Sequence, residues 1–575
     1  MRLIPLGVSV IVAALVFVGL GDAPFLDPPE GFHAVVARTM SERGDFVTPR
    51  FDDVRYFDTP PLLYWLLSTA FAVAGPTPTA ARFWSAVGGV ACAAVTAEIG
   101  LLIGGARVGF LAGLMVAANL GIFLHSRLVE PDALFIFFIT LAYAGFAAAY
   151  LGRGGRRGLV VFYASLALAA ITKDAVLAVG ALVAAGVFLV VTRERPLQPW
   201  APWWGIALFA ALPVAWYLAV ETRNHGFLWY TVVDNHVLRL VQDRHFPDDH
   251  VPLRTLDFLG ATVGAFLPWS LAAPWAIARA FRRPWRTATD RLWVLFAVWA
   301  LLLVSFFIVL PFKLAHDALA AFPALALLVA RLWDDTLVGE PHALRARTLM
   351  VPILVVLGAA GVLATLVWRG VVDARALPLR WLDVATRNLG ARGQELPHES
   401  LLLGPVLLSS TVIFGVAVVA LAVAVWRGWT ELGITVGLGA MLAFLPVAGK
   451  AMADYALARS TTPIVEALRL RLQGPALIAH EGAIEQSASI VLALDRPVKI
   501  VNGRPSTLAF GATFDEARDI FWDGARLRAA WAAPGRHFLI SIVPAERSVV
   551  TTLPSGSVHL LIATGGRRLY SNRGD

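Results

Sequence analysis

The sequence predicts an α-helical polytopic membrane protein with about thirteen transmembrane helices and a C-terminal α/β domain. Three observations predict this class. Of the 575 residues, 58% are hydrophobic and only 15% are charged, whereas soluble domains carry about 25% charged residues. The mean hydropathy is +0.69. Long apolar stretches recur as far as residue 448, and shorter apolar runs separated by polar residues follow beyond that point.

The apolar stretches give thirteen candidate spans. A transmembrane helix needs about 20 mostly apolar residues. Because twelve further spans follow the first, we interpret that first stretch as a retained helix and not as a cleaved secretory signal. The candidate spans lie near residues 4–21, 79–103, 106–124, 132–151, 158–172, 174–192, 203–221, 257–278, 291–310, 314–332, 349–369, 401–425 and 430–448.

Arginines in the short loops predict the orientation. Basic residues concentrate in cytoplasmic loops, and a cytoplasmic N-terminus places all the arginine-rich loops on that side. The same orientation places four long segments outside, namely 22–78, 222–256, 370–400 and the chain after about residue 449. Topology therefore explains the formal charge of +8, and no nucleic-acid partner is expected because the basic residues form no stripe.

The C-terminal part has the pattern of a small α/β domain outside the membrane. Short β-like runs such as "PALIAH", "SIVLAL" and "HFLISIV" alternate with helical stretches at 461–472 and 514–532. We therefore divide the chain into a transmembrane domain at 1–449 and an extracytoplasmic domain at 450–575. Cys92 is the only cysteine, which excludes an intramolecular disulfide and a Cys/His zinc cluster.

The first outer segment is rich in acids. Residues 22–61 hold eight carboxylates, among them Asp27, Glu30 and Asp58. The stretch "GFHAVVARTM" predicts a short interfacial helix that begins after Pro28 and Pro29, with Glu30 in its first turn. An acid in that position stabilises the helix dipole, so spacing alone leaves capping and catalysis equally open.

The segment "HSRLVEPDALF" at 125–135 places Arg127, Glu130 and Asp132 where one span ends and the next begins. Ionisable groups at such depth are costly and usually functional. The alternative is that Asp132 caps its helix and that Arg127 pairs with it.

Lysines and histidines add candidate anion and metal ligands. Of the four lysines, Lys173 and Lys313 each stand near an aspartate at the outer end of a span, where a compact cation suits phosphate. Snorkelling at helix ends is the alternative. The segment 234–250 contains His236 among acids and arginines, a mixture that suits zinc or manganese, although its spacing matches no closed zinc motif.

Several segments together resemble the polyprenyl-phosphate-sugar-dependent glycosyltransferases of the GT-C fold. The resemblance is greatest to the lipid A-modifying 4-amino-4-deoxy-L-arabinose transferase branch, and the protein O-mannosyltransferases are more distant. The segments that carry it are "PPEGFHAVVARTMSERGDFVTPRFDDVRYFDTPPLLYW" (28–65), "RLVEPDALF" (127–135), "TKD" (172–174), "NHVLRL" (235–240), "LPW" (267–269) and "KLAHDALAAFPALALL" (313–328).

The resemblance implies roles for particular residues. The family's catalytic aspartate falls on Pro29, so Glu30 or a re-aimed Asp27 is expected to act as the base, with Asp132 as a further candidate. The family's lysine before the proline pair is Thr59 here, and its usual tyrosine before "PALALL" is replaced, leaving His316 and Asp317. The residues expected to bind substrate or phosphate are Arg127, Lys173, Lys313, His236, Asp58, Tyr64 and His316.

The implied function is inverting transfer of a sugar from a polyprenyl-phosphate carrier to a glycolipid or protein acceptor at the outer face of the bacterial inner membrane. No cofactor is required by the motifs, and a divalent metal held by Asp58 and His236 is left open. Two alternatives remain at this point, a catalytically silent relative that binds a lipid-linked sugar and a polytopic transporter. A transporter would show midplane charges along its path, whereas the ionisable residues here gather at one face.

Overall fold

The structure is a computed structural model that describes residues 3–247, 251–340, 343–372, 404–472, 474–494, 496–503 and 506–574. Within these residues eight helices are long and apolar enough to cross a membrane, and a ninth span is possible if one bent helix pair, Thr255–Ala265 with Trp269–Phe281, counts as one. The eight are Pro78–Gly104, Asp132–Tyr150, Gly155–Thr172, Gln198–Arg223, Ala288–Val309, Ala346–Trp368, Gly404–Arg427 and Thr430–Arg469. The last stretch comprises the helix Thr430–Ala458 and, after a short break, the helix Thr462–Arg469 of the C-terminal domain.

These eight or nine spans are fewer than the thirteen that the sequence predicts. The stretches predicted near 4–21, 106–124, 174–192 and 314–332 fall on helices of 17 residues or fewer, which are shorter than the roughly 20 residues that a perpendicular crossing needs. These helices are Leu3–Phe17, Ala106–Ala117, Ala175–Val191 and Phe322–Val338. The number thirteen therefore stays a prediction. Most of the predicted outer segment 370–400 lies outside the described residues.

Small residues allow the membrane helices to pack closely. A Cβ atom on Gly145 would lie 2.6 Å from the carbonyl oxygen of Gly158, and the same distance holds in reverse. Helices Asp132–Tyr150 and Gly155–Thr172 therefore touch backbone to backbone. Such contacts drive helix association where lipid removes the hydrophobic advantage of burial, and this contact fixes Asp132 relative to Lys173 at the next helix end.

The first outer segment folds into two helices and a short hairpin. Helix Pro29–Arg43 begins with proline at its first position and carries Glu30 in its first turn, as the sequence predicts. Strands β1 (Arg50–Phe51) and β2 (Val54–Arg55) pair antiparallel. Helix Leu62–Ala74 follows and leads to the helix Pro78–Gly104.

The C-terminal α/β domain contains a six-stranded sheet in the order β5-β4-β3-β6-β8-β7. Neighbours from β5 to β6 are parallel, and β8 pairs antiparallel with both β6 and β7. The strands are β3 (Ala476–Glu481), β4 (Lys499–Val501), β5 (Phe521–Trp522), β6 (Arg536–Ser541), β7 (His559–Thr564) and β8 (Arg567–Ser571). Helices Thr462–Arg469, Ala488–Leu494 and Gly524–Trp531 complete the domain.

One predicted strand is a helix. "PALIAH" and "HFLISIV" overlap β3 and β6, but "SIVLAL" lies in the helix Ala488–Leu494. Its β-branched residues Ile490 and Val491 are buried against the outer segment's apolar core. Tertiary packing here overrides the local strand propensity.

Asp27 joins the first outer segment to the C-terminal domain. Its carboxylate is 2% exposed and accepts hydrogen bonds from the Ser489 backbone N–H at 3.1 Å and the Ser489 hydroxyl at 2.5 Å. The Arg567 guanidinium lies 3.9 Å away. A Cβ atom on Gly31 would lie 2.6 Å from the backbone nitrogen of Ser489, so glycine is needed for this close approach.

We expect the substitution Asp27→Asn to flatten the pH dependence of stability. Burial raises the pKa of Asp27 from 3.8 to about 6, so the folded state holds the proton more tightly than the unfolded chain does. Its contribution is fully present below about pH 4 and is lost as the pH rises through 6. Thermal unfolding of the detergent-solubilised protein between pH 4 and 7 measures the slope.

The matched control is Asp519→Asn, since Asp519 is an exposed acid of the same C-terminal domain that pairs with Lys499. The slope between pH 4 and 6 should persist in that control. A wild-type slope in Asp27→Asn would contradict the assigned role of the buried carboxyl.

Candidate functional site

Six ionisable side chains meet where four segments of the membrane part converge, and we name them the charged cluster. Helix Leu120–His125 supplies the first member at its last residue, and helix Asp132–Tyr150 supplies another at its first. Glu130 lies in the loop between these two helices. Lys173 follows the end of helix Gly155–Thr172, and the remaining two members precede helix Phe322–Val338. The members are His125, Glu130, Asp132, Lys173, His316 and Asp317.

Lys173 lies between two carboxylates of the cluster. Its Nζ is 2.6 Å from Asp132 Oδ1 and 3.8 Å from Asp317 Oδ1. Asp132 is the first residue of its helix, and Pro131 occupies the N-cap position. Its carboxylate accepts a hydrogen bond from Lys173, so it pairs with a cation and is not the N-cap that the alternative required. The cation and both acids retain part of their surface, which leaves the lysine able to meet an anion.

His125 and Glu130 form a second pair in the same cluster. His125 Nδ1 lies 2.5 Å from Glu130 Oε2, and the two side chains are 17% and 16% exposed. The His316 ring is centred 5.3 Å from the His125 ring, and its Nε2 is 3.9 Å from Asp317 Oδ1. The cluster thus holds three carboxylates, one lysine and two imidazoles.

The charged cluster also contains the one described group of side chains with a spacing that a metal ion could bridge. Ligand atoms of His125, Glu130 and Asp132 lie within 4.8 Å of one another. Two ligands of a tetrahedral zinc ion at 2.0–2.2 Å lie roughly 3.3–3.6 Å apart, whereas His125 and Glu130 are 2.5 Å apart. Asp132 is already neutralised by Lys173. The separation of His125 and Glu130 is too short for two ligands of one zinc ion, and Asp132 already has a cation, so we assign no metal here.

A second polar group adjoins the cluster through Asp174. This residue caps helix Ala175–Val191 by accepting from the Leu177 backbone N–H at 3.0 Å, and its other oxygen lies 3.3 Å from His236 Nε2. That hydrogen bond raises the pKa of His236. His236 stands in a π-helix, Trp229–Leu238, beside the polar residues of the outer loop.

Asp58 contacts the same π-helix at other positions. Its carboxylate accepts hydrogen bonds from the Tyr230 hydroxyl and, at 3.2 Å, from the Asn235 side chain. Asp58 and His236 therefore have different partners, and the described residues bring no third metal ligand to them. The structure does not support the metal site that the sequence left open for this pair.

Glu30 is held by a buried ion pair. The side chain is 0% exposed, and its two oxygens accept from Arg82 Nε at 2.7 Å and Arg82 Nη2 at 2.6 Å. They also accept from the backbone N–H groups of Val129 and Leu26. Each oxygen thus has two donors, so the structure does not support the expectation that Glu30 acts as a free base. The Ser489 and Arg567 contacts of Asp27 leave that carboxylate in a similar position.

Arg127 and Lys313, predicted as phosphate ligands, close helix ends instead. Arg127 donates to the carbonyls of Val16 at 2.6 Å and Val18 at 2.8 Å, where helix Leu3–Phe17 ends. Lys313, which is 3% exposed, donates to the Leu310 carbonyl at 2.6 Å. Unpaired carbonyls at helix ends attract such cations, and these contacts do not support a phosphate role for either residue.

Tyr64 is fully buried, and its hydroxyl lies 2.8 Å from His33 Nδ1. The predicted site residues therefore separate into three groups. Asp132, Lys173 and His316 meet in the charged cluster. His236 lies on the adjoining π-helix, and Asp58 contacts that helix from the first outer segment. The remaining five have buried structural partners, namely Asp27, Glu30, Tyr64, Arg127 and Lys313.

Sequence reasoning missed the pairing of His125 with Glu130 and the partner of Glu30. The signal for the His125–Glu130 pair lies in the segment "HSRLVEPDALF", where a histidine and a glutamate five residues apart flank a helix end. Arg82 gave a weaker signal, an arginine near the outer end of an apolar span. Such a residue needs a partner, because an isolated charge at that depth is expensive.

The comparisons with known proteins agree with the motifs. Residues 33–230 match the family described as dolichyl-phosphate-mannose-protein mannosyltransferase. Two relatives are named undecaprenyl phosphate-alpha-4-amino-4-deoxy-L-arabinose arabinosyl transferase. The one from Aeromonas salmonicida is 28% identical over 57% of this chain and 59% of its own length. The one from Serratia proteamaculans is 26% identical over 57% and 58%. The chain spans less than two thirds of the length of these relatives.

The fold is that of a solved transferase. The crystal structure of ArnT from Cupriavidus metallidurans bound to undecaprenyl phosphate covers 100% of this chain and 98% of its own, with a TM-score of 0.78 and 20% sequence identity. Its apo form gives a TM-score of 0.77. The predicted fold class is thereby confirmed, and the chain is a multi-pass membrane protein with a C-terminal α/β domain.

Removing one partner of the buried Arg82–Glu30 pair should destabilise the protein strongly. Replacing Arg82 with leucine leaves the Glu30 carboxylate buried without a cation, which typically costs about 3–5 kcal/mol. We expect Arg82→Leu to lower the thermal midpoint in detergent by many degrees.

The matched control is Arg107→Leu, because Arg107 pairs with Asp334 on the surface, where such pairs contribute about 0–1 kcal/mol. Equal midpoints for the two variants would contradict the weight given to the buried pair.

Proposed function

We propose that this chain is a membrane glycosyltransferase that moves a sugar from a polyprenyl-phosphate carrier to an acceptor at the outer face of the bacterial inner membrane. The observation that carries the proposal is the charged cluster, in which Lys173 lies 2.6 Å from Asp132 at the converging ends of membrane helices. The cluster stands in a fold shared with a transferase solved with undecaprenyl phosphate.

The chemistry of transfer matches the cations and acids of the cluster. The bond between the anomeric carbon and the phosphate oxygen breaks, and its electron pair leaves with the phosphate. Negative charge then grows on that phosphate, which a fixed cation stabilises in the transition state. We assign this task to Lys173, the cation of the cluster that keeps part of its surface accessible. Asp132 and Asp317 hold it in position from two sides.

The sugar is proposed to be cationic. Three carboxylates face one lysine in the cluster, so acids outnumber the fixed positive charge. A sugar that carries an amino group would balance this excess, as 4-amino-4-deoxy-L-arabinose does in the names of two relatives. We therefore propose an undecaprenyl-phosphate-linked amino sugar as the donor and the hydroxyl or phosphate of a glycolipid such as lipid A as the acceptor.

The proposed topology keeps the N-terminus cytoplasmic and the charged cluster outside. Residues 450–575 then form an extracytoplasmic domain that covers the first outer segment through the Asp27–Ser489 contact. An accessible cysteine introduced at the exposed Leu560 of β7 and labelled by a membrane-impermeant reagent in intact cells tests this orientation.

A catalytically silent lipid-binding relative is the second candidate, and Pro29 and Thr59 favour it. They stand where the resembling family keeps an aspartate and a lysine. The two candidates differ in one measurement. A transferase releases labelled sugar from its carrier, whereas a silent relative binds the carrier and releases nothing.

We expect Asp132→Asn and Lys173→Met each to reduce transfer by at least 100-fold, since each removes a charge from the centre of the cluster. Purified protein in liposomes is incubated with radiolabelled undecaprenyl-phosphate 4-amino-4-deoxy-L-arabinose and lipid A, and the label on lipid A is measured. A parallel reaction offers membrane proteins as acceptors.

The matched control is Asp334→Asn, whose carboxylate pairs with Arg107 at the surface and should leave transfer unchanged. Full activity in both cluster variants would refute the proposed site. Carrier binding without any transfer by the wild type would instead support the silent relative.

A further inference from the structure

Transfer to an acceptor hydroxyl requires a group that takes its proton, and the residues first expected to provide it are occupied. Glu30 has two donors on each oxygen, and Asp27 is bound to Ser489. Asp132 neutralises Lys173 at 2.6 Å. We infer that the His125–Glu130 pair, which we name the dyad, removes the proton from the acceptor hydroxyl. This inference rests on the proposed function.

The geometry of the dyad suits this task. His125 Nδ1 and Glu130 Oε2 are 2.5 Å apart, although the two atoms are not aligned as hydrogen-bond partners. At this distance the carboxylate stabilises positive charge on the ring when Nε2 takes up a proton. About a sixth of the histidine side chain is exposed, which gives Nε2 a route to a substrate in the cluster.

The proton and the electrons balance in one displacement. The acceptor O–H bond breaks as its proton passes to His125 Nε2, and the acceptor oxygen forms a bond to the anomeric carbon. The carbon–oxygen bond to the phosphate breaks, and the phosphate leaves with the electron pair toward Lys173. Glu130 stabilises the imidazolium that results, as a carboxylate does in hydrolase triads.

Backbone contacts hold Glu130 in place. Glu30 Oε1 accepts from the Val129 backbone N–H at 3.2 Å, and the Ser85 hydroxyl donates to the Glu130 carbonyl at 3.2 Å. The Arg82–Glu30 pair therefore fixes the peptide just before the dyad's carboxylate. Glu30 is thus a positioning residue in this scheme, and its influence on the reaction passes through Glu130.

Charged groups from several segments face the dyad and set its titration. Asp132 and Lys173 lie on the neighbouring helix ends, and His316 and Asp317 approach from the segment before helix Phe322–Val338. His33 on helix Pro29–Arg43, which is hydrogen-bonded to Tyr64, interacts electrostatically with Glu130 and Asp132. Any pH profile belongs to this whole group of residues.

The test compares His125→Asn and Glu130→Gln with the wild type in the liposome assay. Both variants should lose 100-fold to 10,000-fold in kcat, the usual contribution of a general base, with the KM for undecaprenyl-phosphate 4-amino-4-deoxy-L-arabinose changed less than threefold. The wild-type rate should fall toward acid pH as the dyad takes up a proton, and this fall should be absent from the residual activity of His125→Asn. In His125→Gly, added imidazole should restore part of the rate.

The control is His559→Asn, which changes a histidine on strand β7 far along the C-terminal domain and should keep the wild-type rate and pH profile. Thermal midpoints within a few degrees of the wild type show that the variants fold. For an unstable variant, imidazole rescue of His125→Gly decides the question. Wild-type kcat and an unchanged acid limb in His125→Asn would overturn the dyad.

Two further outcomes separate the inference from its premise. Inhibition of the wild type by EDTA, reversed by zinc, would overturn the dyad in favour of a metal at these atoms while leaving transfer established. No transfer by the wild type would overturn the proposed function itself, whatever the variants do.

Discussion

The buried pair between Arg82 and Glu30 is the interaction on which the outer face of this protein depends. Besides Glu30, the guanidinium binds the carbonyls of Leu20, Ala23 and Pro24. The carboxylate in turn binds the backbone of Leu26 and Val129. One pair thus joins the end of the first helix, the first outer segment and the loop that carries Glu130. Burial of such a pair is expensive, and its value here is that it orders three segments at once.

The same contacts explain a division of labour among the acids. In the first outer segment, the carboxylates of Asp27 and Glu30 make buried structural contacts. The carboxylates at the ends of the membrane helices lie near a lysine and two histidines. The acid-rich first outer segment therefore supports the candidate site, and the charged cluster holds the residues proposed to react. This arrangement is consistent with Pro29, because a supporting segment does not need the reactive aspartate that the resembling family keeps there.

The apolar stretches and the motif segments were enough to predict the fold class, because long hydrophobic runs in this composition can only be membrane helices. They also led to Asp132, Lys173 and His316, which motif spacing places at neighbouring helix ends. The roles of Arg127 and Lys313 could not be predicted in the same way. Both residues bind backbone carbonyls, which every residue has and which no sequence motif identifies. Glu30 and Arg82 are 52 residues apart, and no local pattern links them. "SIVLAL" has strand propensity and becomes a helix through packing that its own residues do not encode.

The contact between Asp27 and Ser489 spans 462 residues of sequence, whereas the Arg82–Glu30 pair spans 52. During synthesis the Arg82–Glu30 pair can form once the first few helices are in the membrane, whereas the Asp27–Ser489 contact must wait until residue 489 has been made. The outer face is therefore assembled in two stages, and the second stage waits for the C-terminal domain.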